Sequence, residues 1–422
     1  MERLIGNKKY MNDKLFFVLF ILLFITSSIY GIGYFLYSVL YNIFSMVTYS
    51  FLEPPISFSF TRYVKDGILF FLALYFIKLN SFNISKNIVK LITAFMFYIL
   101  LGMLRGNSLM YVVGGIRCFL SVILIYCYFN KYSFDKKLLY GVYSSIIVTT
   151  ILNVIAVVIQ INIFGNKNFL GIGSGGYRYM GLFTSCYTLG YFSLGSTIYL
   201  CKFYNVFKDK CRVINMIILA LLLFLSIASG TRFTIMGIIV VIMMIFAQNL
   251  KFNNRDKILF MLTIGIAIIA IIYSIVVSQV DRGETMASGQ GRVDYWVYIY
   301  NNYDIIELLM GRGFGYGTNA AAQLGSRGDI TPDSTLNAMV AQFGILGGII
   351  FIFYFINFFR KMMKNSEKCF FVNLGIISVL IVGALMATNL FEQQPFILYT
   401  AVALLGNYKE ENMEDLKWIQ NH

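Results

Sequence analysis

The sequence predicts an all-α polytopic membrane protein with about 12 transmembrane helices, eleven being an open alternative. Three observations support this prediction. The chain is 58% hydrophobic and its mean hydropathy is +0.72. Only 13% of its residues are charged, against roughly 25% in a soluble domain. Apolar runs of about 20 residues, long enough to cross a bilayer, recur along the chain. We therefore expect residues 1–422 to form a single integral membrane domain.

The apolar runs can be assigned in order along the chain. The first run follows a basic start, but no small-residue cleavage site closes it, so we predict a retained helix rather than a signal peptide. The segment 36–61, which contains Pro54 and Pro55, is predicted to be an outer loop with a short interfacial helix. The last run is short, which leaves eleven spans open. The predicted spans lie at 15–35, 62–79, 88–104, 109–129, 138–164, 181–201, 213–229, 231–248, 257–278, 334–359, 370–390 and 394–407.

Lysine indicates the orientation of these spans. Five short lysine-rich links alternate regularly with other links, and both termini fall on their side; the five links are 78–90, 130–137, 202–212, 249–257 and 360–368. By the positive-inside rule this side is cytoplasmic. The outer side then carries a smaller loop at 165–180 and a large extracytoplasmic loop at 279–333.

Arginine follows a different distribution. Of the 34 Lys and Arg residues, 23 fall on the predicted inner side and 19 of these are Lys, whereas nine of the other 11 are Arg. Membrane insertion does not require Arg rather than Lys, but the planar guanidinium suits bidentate contact with phosphate or carboxylate. The bias predicts an anionic ligand at the outer face. For any single arginine, pairing with an outer acid or a lipid headgroup remains an alternative. The nine are Arg62, Arg105, Arg117, Arg178, Arg232, Arg282, Arg292, Arg312 and Arg327.

Arg178 and Arg232 are the strongest functional candidates. Arg178 lies in GSGGYRYMGLF, where the loop 165–180 enters the sixth span, and Arg232 lies in SGTR, a tight turn between the seventh and eighth spans. An arginine at a membrane-embedded helix start is costly unless it is paired or functional. The amides of a helix start add to its attraction for phosphate. We therefore favour function over packing for both.

The large outer loop contains two further motifs. Residues 289–310 have the pattern of an amphipathic helix that rests at the membrane interface with Trp296 as its anchor. Alternatively, this helix is a lid that presents Arg292 to the substrate. The run GRGFGYG at 311–317 lacks the spacing of a dinucleotide fingerprint. It predicts a compact turn, either purely structural or one whose amides at Gly313 and Gly315 approach a ligand.

The candidate general base is a carboxylate. The single histidine is His422, the last residue, which argues against histidine catalysis. Asp333 opens the tenth predicted span, where it is either a helix N-cap or a general base; Asp329 and Glu392 are weaker candidates. The six cysteines are not paired at CxxC spacing, so neither a disulfide framework nor a zinc site is indicated, and we expect no metal or other cofactor.

Five segments between about residues 170 and 350 resemble the superfamily of O-antigen polymerases (Wzy) and ligases (WaaL). They are RYMGLF (178–183), SGTR (229–232), GRVDYW (291–296), GRGFGYGTN (311–319) and DSTLNAMVAQFGILGG (333–348). The resemblance implies a glycosyltransferase of the bacterial inner membrane with a periplasmic active face. Such an enzyme takes undecaprenyl-pyrophosphate-linked glycans as donor and acceptor and uses no metal or nucleotide sugar. By position, Arg178 and Arg232 match arginines that hold the pyrophosphate.

One departure from the family pattern favours a polymerase. In the ligases a histidine stands at the start of the helix after the large loop, where this chain has Asp333 and Ser334. An O-antigen ligase remains the nearer alternative, and a lipid-linked glycan flippase is the alternative from another class. We predict Asp333, Arg232 and Arg178 as catalytic residues. We expect membrane lipid as a partner and no binding to nucleic acid. A chain-length regulator and a flippase are further candidate partners. The predicted substrate-binding residues are Arg292, Arg312, Arg117, Arg327, Gly313 and Gly315.

Overall fold

The computed structural model describes residues 13–44, 60–80, 86–132, 134–164, 178–249, 296–316, 334–364, 370–386 and 390–406. In these ranges the secondary structure is helical and contains no β-strand, so the all-α prediction is confirmed. Three helices are long and apolar enough to cross a membrane, at Val112–Phe129, Lys136–Asn162 and Thr335–Phe353, and six shorter apolar helices accompany them. The total of about 12 spans stays a prediction.

Thirteen α-helices have defined bounds in the described ranges. They are α1 (Lys14–Ser28), α2 (Ile32–Phe44), α3 (Phe60–Leu79), α4 (Lys86–Leu104), α5 (Leu109–Lys131), α6 (Lys136–Phe164), α7 (Cys186–Lys202), α8 (Tyr204–Ala228), α9 (Arg232–Asn249), α10 (Ile305–Met310), α11 (Thr335–Lys364), α12 (Phe370–Met386) and α13 (Gln394–Leu405). A 3₁₀ turn, Leu390–Glu392, precedes α13. The predicted span 257–278 lies outside the described residues.

The first predicted span, 15–35, is wrong as a single helix. Helix α1 ends at Ser28 and α2 begins at Ile32. Between them the amide of Gly31 donates to the carbonyl of Leu182 at 2.8 Å, and a side chain at Gly31 would collide with the backbone of Phe183. The chain bends here because a loop from elsewhere in the sequence packs against it, a contact that hydropathy does not reveal.

The predicted amphipathic helix over 289–310 is described from residue 296 and is also interrupted. Residues 296–302 are helical, and a separate short helix, α10, begins after Asp304. Asp304 and Glu307 form a capping box, with the Glu307 amide donating to Asp304 Oδ1 at 2.6 Å. A capping box is a start signal for a new helix. The apolar side chains of Trp296 and Tyr300 are exposed, as an interfacial position requires, while Ile299 is buried.

The bundle is apolar outside and contains polar groups inside. Large aliphatic and aromatic side chains are exposed along α4, α6, α8 and α11. Helix α6 instead buries a row of hydroxyl and amide side chains, namely Ser145, Thr149, Asn153 and Gln160. Interhelical hydrogen bonds and small residues hold helices together in lipid, where apolar burial gives no advantage. This distribution is that of a helical bundle embedded in a membrane.

Helix α7 is the centre of the bundle. All of its residues from Cys186 to Cys201 are buried except Tyr187, which is partly exposed, and it packs against α8, α9 and α13. Two glycines allow this crowding: a Cβ at Gly190 would lie 2.7 Å from Ser229 Oγ, and one at Gly195 would lie 2.9 Å from the Phe396 Cα. Small residues permit such close approach of helices. The start of α7 is therefore held in a fixed place.

Candidate anion-binding site

The loop that precedes α7, residues 178–185, is held by two amide side chains of α6; we call it the entry loop. Gln160 Oε1 accepts from the Gly181 amide at 3.0 Å, and Gln160 Nε2 donates to the Gly181 carbonyl at 3.1 Å. Asn153 Oδ1 accepts from the Leu182 amide at 2.9 Å. A buried loop must find partners for its backbone polar groups. These two side chains supply them and so fix the entry loop within the bundle.

The entry loop places Arg178 against the turn between α8 and α9. The amide of Tyr179 donates to the Ala228 carbonyl at 2.9 Å. Gly230 has a φ of +64°, and a Cβ there would lie 2.9 Å from Arg178 Cγ, so the arginine crosses the turn over the glycine. Arg178 Nη1 donates to Tyr187 Oη at 3.1 Å, and the guanidinium lies 5.6 Å from the Tyr187 ring. Burial lowers the pKa of Arg178, but the charge interaction and hydrogen bond with Tyr187 outweigh it and raise the pKa.

Arg232 is the first residue of α9 and lies at the other end of the same turn. Its Nη1 is buried and makes no hydrogen bond to any group of the described residues. The turn itself is fixed by the Thr231 amide, which donates to Ser229 Oγ at 3.2 Å. The structure therefore brings Arg178 and Arg232, which are 54 positions apart in sequence, to the same turn at the start of α9.

Four helix starts lie close together here. Tyr191 of α7 packs between Phe233 near the start of α9 and Phe396 near the start of α13, with ring centroids 5.9 Å and 5.6 Å away. The Leu390 amide donates to Thr335 Oγ1 at 2.9 Å, which ties the start of α11 to the segment before α13. Each helix start carries a partial positive charge and amides that lack a partner within the helix. Together with Arg178 and Arg232 they make this region favourable for an anion.

Arg117 belongs to a second charged group, which it forms with Asp66 and Lys65. Its Nη1 pairs with Asp66 Oδ2 at 3.1 Å, and Lys65 Nζ lies 3.9 Å from Asp66 Oδ1. Lys65 also lies over the ring of Tyr30 at 4.8 Å, and Tyr30 Oη donates to Thr188 Oγ1 at 3.4 Å. The predicted substrate-binding residue Arg117 is thus engaged in a partly buried ion pair, which Lys65 and Tyr30 connect to the first turn of α7.

Sequence reasoning missed several residues of this region. Neither Lys65 nor Asp66 is among the predicted site residues. The adjacent charges in the apolar run 62–79 are the signal that could have identified both, since ionisable residues within a span are costly unless they are paired or functional. For Gln160 and Asn153 the sequence gives no comparable signal, because their partners in the entry loop lie 21 and 29 positions away.

Gly313 and Gly315, for which the sequence predicts either a structural turn or an approach to a ligand, lie against other helices. Gly313 and Gly315 have φ of +86° and +87°. A Cβ at Gly313 would collide with the backbone of Gly102 in α4, and a Cβ at Gly115 in α5 would lie 2.6 Å from the Gly315 amide. Residues 311–316, which we call the glycine loop, are therefore wedged against α4 and α5. Its amides are also taken: Arg312 N donates to Ala341 O, Gly313 N to Gln342 O and Phe314 N to Tyr98 O, at 2.9, 2.9 and 3.3 Å.

Arg312 fixes the glycine loop to the preceding helices. Its Nη1 donates to Tyr316 Oη at 2.6 Å, and its Nη2 donates to Asn302 O at 2.8 Å and pairs with Glu307 Oε2 at 3.1 Å. The guanidinium stacks between the rings of Tyr303 and Tyr316. Burial lowers its pKa, but the bond with Glu307 and the adjacent tyrosines raise the pKa overall. In this arrangement protein groups bind both terminal nitrogens of the side chain that we predicted to bind substrate, while its buried Nε makes no hydrogen bond within the described residues.

Other predicted site residues, Asp333, Arg292 and Arg327, lie outside the described residues, as does Asp329. Glu392 lies in the 3₁₀ turn before α13. Across the described ranges, no three or more His, Cys, Asp and Glu side chains are grouped so as to hold a metal ion.

Fold and site together define a helical, membrane-embedded protein with two arginines at a junction of helix starts. In comparisons with protein families, characterised proteins and solved structures, no family model, curated protein or solved structure matches the chain.

Proposed function

We propose that this protein is a glycan polymerase that joins undecaprenyl-pyrophosphate-linked repeat units at the outer face of the bacterial cytoplasmic membrane. One observation carries the proposal: Arg178 and Arg232 lie at one turn beside the start of α7, and Arg232 Nη1 has no hydrogen-bond acceptor among the described residues. Two guanidinium groups and several helix starts suit a ligand with adjacent phosphates. The motif resemblance supplies the lipid and the reaction class.

The proposed reaction is a displacement at an anomeric carbon. A hydroxyl of the incoming repeat unit attacks the carbon that joins the growing glycan to undecaprenyl pyrophosphate. The new glycosidic C–O bond forms as the bond to the phosphate oxygen breaks, and the electron pair leaves with the pyrophosphate. Arg178 and Arg232 would stabilise the negative charge that develops on this leaving group. Fixed donors aimed at developing charge are usually the largest single catalytic contribution.

Two further contributions complete the proposal. A carboxylate takes the proton of the attacking hydroxyl, and Asp333 is our candidate for this base. Holding donor and acceptor together makes the step effectively unimolecular. Gln160 and Asn153 would act as positioning residues, because they hold the entry loop on which Arg178 lies.

The first test is substitution of the two arginines. We expect Arg178→Ala and Arg232→Ala each to lower polymer formation by about 10²–10³-fold, the usual cost of removing one donor of this kind. Arg360→Ala is the matched control, because Arg360 is exposed and lies near the far end of α11. Polymer ladders on gels are compared at equal amounts of membrane-inserted protein. Normal ladders from both arginine variants would contradict the proposal.

The second test separates polymerase from ligase and flippase in a strain that lacks the protein. A polymerase predicts single repeat units on the lipid carrier or lipid core and no ladder. Full-length polymer that remains on undecaprenyl pyrophosphate identifies a ligase. Repeat units trapped on the cytoplasmic side identify a flippase and refute the role proposed for the arginines.

A further inference from the structure

Three buried polar side chains near Arg232 have an atom without a hydrogen-bond partner. They are Thr231 Oγ1, Asn337 Nδ2 and Gln393 Oε1, none of which meets a donor or acceptor of the described residues. Asn337 is only 2% exposed, and Thr231 and Gln393 are each 8% exposed. Leaving a buried donor or acceptor unsatisfied is unfavourable, and such groups are rare in folded proteins. Three of them near one site call for a physical explanation.

Contacts of their own backbones and of neighbouring residues bring these three residues to the same junction. Asn337 is in the first turn of α11, next to Thr335, which accepts from the Leu390 amide. The amide of Gln393 donates to the Leu390 carbonyl at 3.1 Å. On the other side, a Cβ at Gly383 would lie 2.7 Å from the ring of Phe233 and 3.2 Å from Leu390 Cδ1, so the start of α9 closes on the same point. The junction therefore gathers one amide donor, one amide acceptor and one hydroxyl beside Arg232.

We propose that Asn337 and Gln393 form a sugar-binding subsite next to the pyrophosphate held by Arg178 and Arg232, with the Thr231 hydroxyl as a third polar group of the same junction. The inference rests on the proposed function, because it adds the glycan to a site already assigned to its phosphates. Uncharged donors and acceptors match the hydroxyl and acetamido groups of a sugar, whereas a second phosphate would call for further cations. The sugar is bonded directly to the pyrophosphate, so its binding groups should lie close to the arginines that hold the phosphates; Thr231 immediately precedes Arg232 in the chain.

The three atoms are enclosed in the structure, so a sugar reaches them only when the helix starts separate. The hydrogen-bond partners that a sugar supplies would offset the cost of leaving these atoms unsatisfied. This gain in free energy would favour the open, sugar-bound state over the closed state. A ligand shifts such an equilibrium by the difference in its affinity for the two states. Sugar binding and separation of the helix starts are thus one event.

The test uses the full-length protein in lipid nanodiscs, with Asn337→Leu and Gln393→Met as near-isosteric variants. Two probes are compared: undecaprenyl pyrophosphate without sugar, and the lipid-linked repeat unit extracted from a strain that lacks the protein. We expect each variant to bind the repeat unit about tenfold or more weakly, because a site built to hydrogen-bond its ligand loses affinity when one partner is removed. Affinity for the sugar-free lipid stays within about twofold of wild type.

Thermal stability distinguishes a binding role from a packing role. Replacing an unsatisfied buried polar group by an apolar one of similar shape is neutral or stabilising, so the thermal midpoint of both variants should equal or exceed that of wild type. Thr400→Val is the matched control, because Thr400 Oγ1 is likewise buried without a partner but lies farther along α13. We expect it to bind both probes as wild type does.

The outcomes separate the inference from the proposed function. If wild type binds both lipids and the variants also bind both normally, the three atoms accommodate only ordered water or imperfect packing, and the sugar subsite is refuted. An equal loss of both lipids with a lowered thermal midpoint also refutes it, in favour of a structural role. If wild-type protein binds neither lipid, the proposed function itself fails, and the subsite with it.

Discussion

At the start of α11, Ser334 Oγ accepts a hydrogen bond from the Asn337 amide at 3.2 Å, the contact expected of an N-cap side chain. The sequence allowed two roles for Asp333, helix cap or general base. Ser334 already caps the amide three residues into α11, so the helix does not need Asp333 for that bond. The role of Asp333 as a base remains a prediction, and the alternative role as helix cap has less support because Ser334 makes the capping bond.

A pair of adjacent substitutions separates these roles. We expect Asp333→Asn to lower polymer formation by about 10²-fold or more, because the amide cannot take a proton from the acceptor hydroxyl. Ser334→Ala should instead lower the free energy of unfolding by about 1 kcal/mol, the usual cost of a lost N-cap, while polymer still forms. Gel ladders and thermal midpoints of the purified proteins measure the two effects. An unchanged ladder from Asp333→Asn would exclude it as the base.

For individual residues, what the sequence could predict depended on the chemistry of each side chain. Arg178 and Arg232 stood out because a charge at a membrane-embedded helix start needs a reason, and the structure brings them to one turn. Arg312 was likewise predicted to bind substrate, yet its guanidinium pairs with Glu307 and contacts two tyrosine rings. Charge alone could not tell these cases apart, because the partners of a side chain are set by the tertiary fold.

Among the helices and loops, the glycine loop shows how a motif can have a packing role. Gly311, at its start, and Gly344, a non-helical residue within α11 with a φ of +69°, face each other so closely that neither could carry a side chain. Arg105 at the end of α4 donates to the Gly311 carbonyl at 2.5 Å. The glycine loop, residues 311–316, therefore packs tightly against α4, α5 and α11 and so attaches the whole segment 296–316 to these helices. Hydropathy located these helices, but not the breaks at Gly31, Asp304 and Gly344, which depend on long-range contacts or capping.

Two alanine substitutions measure how much this tight packing contributes. Gly106 and Gly313 have nearly the same φ, +84° and +86°, but a Cβ at Gly106 meets nothing within 4 Å, whereas one at Gly313 collides with Gly102. We expect Gly106→Ala to cost about 1–2 kcal/mol, the strain of a left-handed alanine. Gly313→Ala should cost about 1–3 kcal/mol more, the range for overpacking a tight contact. Thermal unfolding in detergent measures both. Equal losses from the two variants would show that α4 can move away and that the loop is not tightly packed.

For the whole molecule, an apolar exterior around a largely apolar core that also contains polar side chains agrees with the fold class that composition predicts. Sidedness is a separate matter, since it rests on where lysine and arginine fall along the chain rather than on contacts. The proposed function requires the start of α7, with Arg178 and Arg232, to face outward, because that is where a lipid-linked repeat unit is polymerised. The orientation of the bundle in the membrane can therefore be tested without any assay of activity.

We expect alkaline phosphatase inserted into the full-length chain after Gly173 or Gly325 to be active, because the enzyme folds only outside the cytoplasm and both positions lie in predicted outer loops. Insertion after Ser133 or Asn365, within lysine-rich links, should leave it inactive. A cytoplasmic fluorescent protein at the same four positions is the reciprocal control and should give the opposite pattern. If activity appears after Ser133 and not after Gly173, the bundle is inverted. Arg178 and Arg232 would then face the cytoplasm, and a polymerase that acts at the outer face would be ruled out.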